Sequence, residues 1–283
     1  MNILKIGIGV ILVESVTAQV STVSTEASGA YSTAIGWGTN AAGGASTAMG
    51  WATTAGGSYS TAMGFSTTAS GGASTAMGYS TAAGGSYSTA MGFSTTASGD
   101  FSTAMGSGTT ASKEYSTAMG YYTGARGYAS VSMGRSTIAS GDYSTAMGRS
   151  TQASGDFSTA MGYYTGARGY ASVSIGQYNL AGSTVTNSAT SFDSGNTAFV
   201  IGNGNSVGAR SDAFKVMFNG DATVANDLTV SGQLTVSGQL TIDGNVLTGA
   251  HVAQLLNLLT QLAGEPDDQK ACLKTKWNTL STC

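Results

Sequence analysis

Charge is what this chain has least of: 9% of its 283 residues are acidic or basic, where a globular domain carries about a quarter. The 11 lysines and arginines are spread thinly under a net charge of −3, so there is no basic face to neutralise phosphates and no nucleic-acid partner is expected. A single histidine, His251, leaves little for acid–base catalysis or metal ligation, and one proline and two cysteines complete the shortages. The longest apolar run, Ile6 to Val13, falls short of the roughly 20 residues that span a bilayer. No cofactor, metal site or integral membrane segment is expected. The 41% apolar content is nonetheless enough for a core, which sets the chain apart from highly charged disordered sequences.

The ends read differently from the middle. Lys5, the apolar run and the small-residue pattern Val16-Thr17-Ala18 fit a secretory signal at residues 1–18, cleaved after Ala18; an uncleaved N-terminal strand is the other reading. Cys272 and Cys283 are compatible with a disulfide in an exported protein, within one chain or between subunits.

What is abundant is glycine, 42 residues of it, and it is periodic. Glycine recurs at 36, 50, 64, 78, 92, 106, 120, 134, 148, 162 and 176, an unbroken step of 14 over eleven repeats. Four residues before each stands serine, from Ser32 to Ser172, and five after stands alanine, from Ala41 to Ala181. A second glycine follows seven after the first, from Gly43 to Gly169, with Lys113 in its place once. The run beginning at Tyr121 returns 42 residues later from Tyr163, three repeats copied as a block. Such a unit, with two glycine corners and no helical periodicity, suits one coil of a parallel β-solenoid carrying two short strands.

Strand alternation then assigns faces. Ser60, Ala62 and Gly64 and their equivalents are the small set for a narrow interior; Thr61 and Met63 belong to the outward set. The outward stripe comprises Ile35, Met49, Met63, Met77, Met91, Met105, Met119, Met133, Met147, Met161 and Ile175. Burying each such side chain is worth roughly 1.5–3 kcal/mol, so a stripe left in water is an aggregation liability. Association of identical copies along it, closed by cyclic symmetry, is expected.

The repeat A-x-G-x-x-S-x-A-M-G, as in Ala69-Ser70-Gly71-Gly72-Ala73-Ser74-Thr75-Ala76-Met77-Gly78, closely resembles the head repeat of trimeric autotransporter adhesins of the YadA type, over about residues 27–183. The resemblance implies an all-β, left-handed parallel β-roll, packed three abreast as a homotrimer, whose head binds extracellular matrix or host surfaces. It makes the repeated serine, alanine, methionine and glycine a structural signature, not a catalytic site. Residues 198–225 look like the segment that follows such heads in phage tail fibres and bacterial surface proteins. The C-terminus departs from the family, lacking the long stalk and alternating barrel strands of an autotransporter and anything like a tail-fibre chaperone after residue 248.

The expected organisation is therefore a signal at 1–18, a β-roll head at 19–183, a β-rich connector at 184–225 and a hexapeptide-repeat β stalk at 226–247. A short helix at 248–264 and a polar tail at 265–283 complete it. The helix places Val252, Leu255, Leu259 and Leu262 at heptad spacing, read as a trimer clasp, with packing on its own chain as the alternative.

From Ala27 to Gly99 no residue is charged, while the position after the repeat glycine reads Trp37, Trp51, Phe65, Tyr79, Phe93. Stacked coils should bring these rings to about 4.8 Å. The ladder is read as a ligand contact that stacks on sugars or meets another protein, or else as a seal at the trimer edge. Arg135 and Arg149 follow in the same column and are read with Asp142 and Asp156 as solvated ion pairs. Thr39, Thr53 and on to Thr165 align without a gap. They share parity with the repeated alanine, so they should point inward with hydroxyls bonded to backbone, which makes ice binding by a threonine array the weaker reading.

Enzymatic motifs fail. Gly202 to Gly208 has the wrong spacing for a dinucleotide fingerprint, a calcium nonapeptide is absent, and no serine has a histidine near it in sequence. The expected function is a non-enzymatic, secreted or surface-displayed trimeric fibre or adhesin that binds a host-surface protein, glycan or matrix ligand, with a virion or appendage fibre subunit as the alternative.

Overall fold

The computed structural model describes residues 24–180, 182, 188–233, 235, 240–242 and 245–247. The signal at 1–18, the helix with Val252, Leu255, Leu259 and Leu262, and Cys272 and Cys283 lie outside the described residues. The chain falls into two units, Met1–Asp227 and Leu228–Cys283.

The first unit is a β-solenoid of fourteen-residue coils. Each coil contributes one five-residue strand, from Thr33–Trp37 to Val173–Gln177, and one two-residue strand, from Glu26–Ala27 to Gly166–Ala167. The long strands stack in parallel without slippage, Met91 beside Met77 and Met105, Gly92 beside Gly78 and Gly106. The short strands form a separate parallel sheet of eleven. No helix occurs among the described residues.

The interior is as narrow as the sequence demands. Ser32, Ala34, Thr39 and Ala41 and their equivalents along the coils are buried, and the stacked alanine methyls form the core. Backbone hydrogen bonds run from coil to coil through the corners as well as the strands: Ala52 N–H donates to Trp37 C=O at 2.8 Å and Tyr59 N–H to Gly44 C=O at 2.7 Å. Both donors sit in the left-handed region, φ +52° and +61°, a conformation that costs a non-glycine residue about 1–2 kcal/mol and is held here because it keeps each corner's N–H paired.

The repeat glycine is required by close approach. A Cβ built on Gly92, φ +123°, would lie 2.0 Å from the carbonyl oxygen of Gly106 in the next coil. The second glycine column is as tight: a Cβ on Gly85 would meet Gly99 C=O at 2.0 Å. Lys113 interrupts that column once, and the bond from Gly99 N–H, one coil below it, to Ala111 C=O is 3.5 Å, at the long end of a column that runs from 3.1 Å at Gly43 to 3.4 Å at Gly141 and Gly155.

The solenoid closes at its C-terminal end by a change of strand direction. Thr197–Asn203 adds in parallel to Val173–Gln177, placing Val200 beside Ser174, and Val200 is fully buried where earlier coils hold alanine or serine. Asp212–Met217 and Ala222–Val224 then add antiparallel. In the second unit, Leu240–Ile242 pairs antiparallel with Asn245–Leu247.

Candidate interaction surface

The outer face of the long-strand sheet carries the residues singled out from the sequence. Ile35 is 39% exposed, while the methionines from Met49 to Met161 and Ile175 are half-buried. Strand register stacks them into one continuous column. Their partial cover comes from the neighbouring coils; their outer sides meet solvent in the single chain.

Two residues along, the aromatic column is an ordered ladder. Trp37 and Trp51 stack at 5.2 Å between centroids, Trp51 and Phe65 at 4.3 Å, Phe65 and Tyr79 at 4.8 Å, Tyr79 and Phe93 at 5.1 Å, with planes within 14°. All five rings are exposed, from 37% to 55%. Their faces are turned on one another, so the interior rings offer edges to an incoming molecule. Face-on stacking of sugars, one of the two contacts expected for this ladder, is thereby closed at Trp51, Phe65 and Tyr79, while edge contacts with another protein stay open.

Beyond Phe93 the column changes chemistry. The Arg135 guanidinium lies 5.7 Å from the Tyr121 ring and that of Arg149 lies 5.1 Å from Tyr163, within cation–π range. The expected ion pairs with Asp142 and Asp156 are not formed within the chain. Each aspartate is seven residues from its arginine in a coil of fourteen, so the two sit at opposite corners. Asp142 instead accepts a hydrogen bond from Tyr128 N–H at 2.8 Å and Asp156 from Asp142 N–H at 2.9 Å.

A second aromatic ladder, absent from the sequence reading, lies at that opposite corner. Tyr87, Phe101 and Tyr115 stack at 4.9 and 5.2 Å. The column continues edge-to-face through Tyr128 at 5.5 Å to Tyr143 at 5.3 Å, then Phe157 at 4.9 Å and Tyr170 at 5.4 Å. Its signal was an aromatic residue directly before the repeated serine, obscured because Ala129 and Ala171 occupy that place and the ring moves one residue earlier, to Tyr128 and Tyr170. Burial of Tyr128, then its neighbours Tyr143, Tyr115 and Glu114, raise its phenol above the ordinary value.

Thr39 and its equivalents to Thr165 point inward and are buried, so they form no outer array. Their hydroxyls do not bond to backbone as expected. Among the described residues nine of these ten lack a hydrogen-bond partner, and Thr137 pairs with Ser132 Oγ at 2.8 Å. The carbonyls of this column take part in coil stacking, as when Thr53 C=O accepts from Asn40 N–H, and Thr137 C=O accepts a second bond, from Ser132 Oγ at 3.0 Å.

At the C-terminal coils a polar cavity of about 70 Å³ is lined by Gln152, Tyr164, Arg168 and Arg210 among others. Arg210 Nη1 donates to the carbonyls of Tyr164 and Asn179, both at 3.1 Å, which ties the connector to the last coils. Tyr178, buried beside it, has its phenol pushed up to about 12, first by a hydrogen bond with Tyr163 and then by burial. Among the described residues no group of three or more His, Cys, Asp or Glu comes together to hold a metal, and no helix is long and apolar enough to cross a membrane.

The YadA head domain repeat family matches residues 27–53, 55–81, 69–95, 83–109, 97–123, 111–137, 125–151, 139–165 and 153–179. No curated protein matches the chain. The matched windows run through the coils from Ala27 to Asn179, more than half of the sequence, and the chain therefore belongs to the YadA head domain repeat family.

Proposed function

We propose that this chain is a non-enzymatic, surface-displayed fibre protein whose head assembles as a homotrimer and attaches to a cell surface, glycan or matrix ligand. The observation that carries the reading is the unbroken column from Ile35 to Ile175, half-covered in one chain and apolar along its whole length. A patch of that size on a soluble protein marks an interface, and a ring of copies ends association where a lone sticky rod would not. Family membership supports the trimeric and adhesive parts of the reading. Export through residues 1–18, a clasp at 248–264 and a disulfide between Cys272 and Cys283 belong to the same proposal.

The test is mass in solution. Light scattering should return three times the chain mass for the wild type. Changing Met77, Met91 and Met105 together to Asp should abolish the trimer, because each carboxylate would be desolvated without a partner at several kcal/mol. A well-folded wild-type monomer would overturn the assembly.

A further inference from the structure

If three long-strand sheets turn their methionine columns to a common axis, the interface between neighbours is heterologous, because cyclic symmetry sets different edges of the two copies against each other. Every long strand runs in the same direction around its coil. The trailing edge of one sheet, just after the repeat glycine, therefore faces the leading edge of the next, just before the repeated serine. These are the two corners that carry the aromatic ladders.

Their charges are complementary. At the trailing edge, the two positions after the repeat glycines from Gly36 to Gly176 hold cations at Arg135 and Arg149 and no acidic residue. At the leading edge, the two positions before the repeated serines from Ser32 to Ser172 hold Asp100, Glu114, Asp142 and Asp156 and no basic residue. Levels agree as well. The Asp142 carboxylate reaches back to Tyr128 N–H and that of Asp156 to Asp142 N–H. Tyr128 opens the coil that ends its long strand at Arg135, and Asp142 opens the coil that ends at Arg149. Each carboxylate thus stands level with one arginine, which symmetry without axial shift requires of groups that meet across the ring. The guanidiniums are held for this by their own tyrosines, Tyr121 and Tyr163.

We infer that the leading edge of the roll is the docking surface for the trailing edge of a second copy of this chain, Arg135 and Arg149 of one protomer meeting the partner's Asp142 and the partner's Asp156. The inference rests on the trimeric reading above and adds which edges meet and in what register. It also gives the second aromatic ladder an occupant, since Tyr128 and Tyr143 lie beside these aspartates.

Paired cysteines test it in the full chain, with Cys272→Ser and Cys283→Ser as background. Within one chain, residues 135 and 142 are separated by the length of the long strand and its corners, roughly 20 Å at about 3.3 Å per residue, beyond the roughly 7 Å that a disulfide bridges. Arg135→Cys with Asp142→Cys should therefore give, on mild oxidation, a covalent trimer in denaturing gels, while either change alone gives none. Circular dichroism checks the fold, because Asp142→Cys removes a backbone hydrogen bond. In a second arm, Arg135→Glu with Arg149→Glu should weaken the trimer at least about tenfold by setting like charges together, with recovery on adding Asp142→Arg and Asp156→Arg. A folded trimer that forms no cross-link and ignores charge reversal overturns this register and leaves the trimer standing; a wild-type monomer overturns the trimeric reading itself.

Discussion

At the scale of single residues, the fold is governed by what cannot be added. Gly92→Ala would drive a methyl into the carbonyl of Gly106 at 2.0 Å in a backbone of φ +123°. It should cost about 3 kcal/mol or more, the range of strain and overpacking at special backbone sites. Gly72→Ala meets nothing within 4 Å and lies outside the left-handed region, so it should be neutral or stabilise by about 0.4–1 kcal/mol through the unfolded chain. Thermal melts of the two variants check the contrast, and equal losses would contradict the geometry. This layer was legible in the sequence because comparison of eleven coils marks every constrained position. The threonine hydroxyls were not, since alternation tells which way Thr39 points but not whether its hydroxyl meets a partner there.

At the scale of elements, the aromatic columns order the two edges of the long-strand sheet, and they divide it along its length: the first is all aromatic from Trp37 to Phe93, the second continuous from Tyr87 to Tyr170. On the edge-to-edge packing inferred above, Trp37 and Trp51 lie on the trailing edge that meets a second copy, so Trp37→Ala with Trp51→Ala should weaken the trimer, by the roughly 2 kcal/mol or more typical of aromatic anchors. Weaker attachment to a cell or glycan surface with the trimer intact would instead make the ladder a ligand contact. The tyrosines also give the elements a pH response. Tyr128 and Tyr178 have phenols raised above 10.0 in the folded chain, Tyr178 to about 12. The neutral form is thus favoured by folding, and the stability it contributes is complete below pH 10 and lost as pH climbs through about 12 for Tyr178. Melting temperature against pH should fall across that interval, and less steeply in Tyr128→Phe and Tyr178→Phe. The first ladder was readable because its rings share one repeat position. The second was hidden by the one-residue shift at Tyr128 and Tyr170, which only the corner geometry reunites, and the arginine–tyrosine contacts depend on which corner each residue turns.

For the molecule as a whole, the solenoid is one-dimensional: each coil touches only the coils above and below, so its stability is a sum of coil and nearest-neighbour contributions. Deleting residues 80–93 joins Tyr79 to Ser94, which stands where Ser80 stood, and leaves every strand, corner and glycine in register with its neighbours. The head should fold, shortened by one strand spacing of about 4.8 Å, with the methionine column and both edges unbroken. Deleting only residues 80–86 joins Tyr79 to Tyr87 and turns everything downstream by half a coil. The left-handed corners recur every seven residues and would keep their places, Tyr87 falling where Ser80 stood, but five-residue strands would face two-residue ones, and the next repeat glycine, Gly92, would leave the column of Gly78. Circular dichroism and hydrogen exchange should find the fourteen-residue deletion folded with a modestly lower melting temperature, and the seven-residue deletion unprotected on at least one side of the joint. A native-like melt for the shorter deletion would mean that coils need not stack in register, and that the glycine spacing does not set the parallel solenoid or its continuous interface.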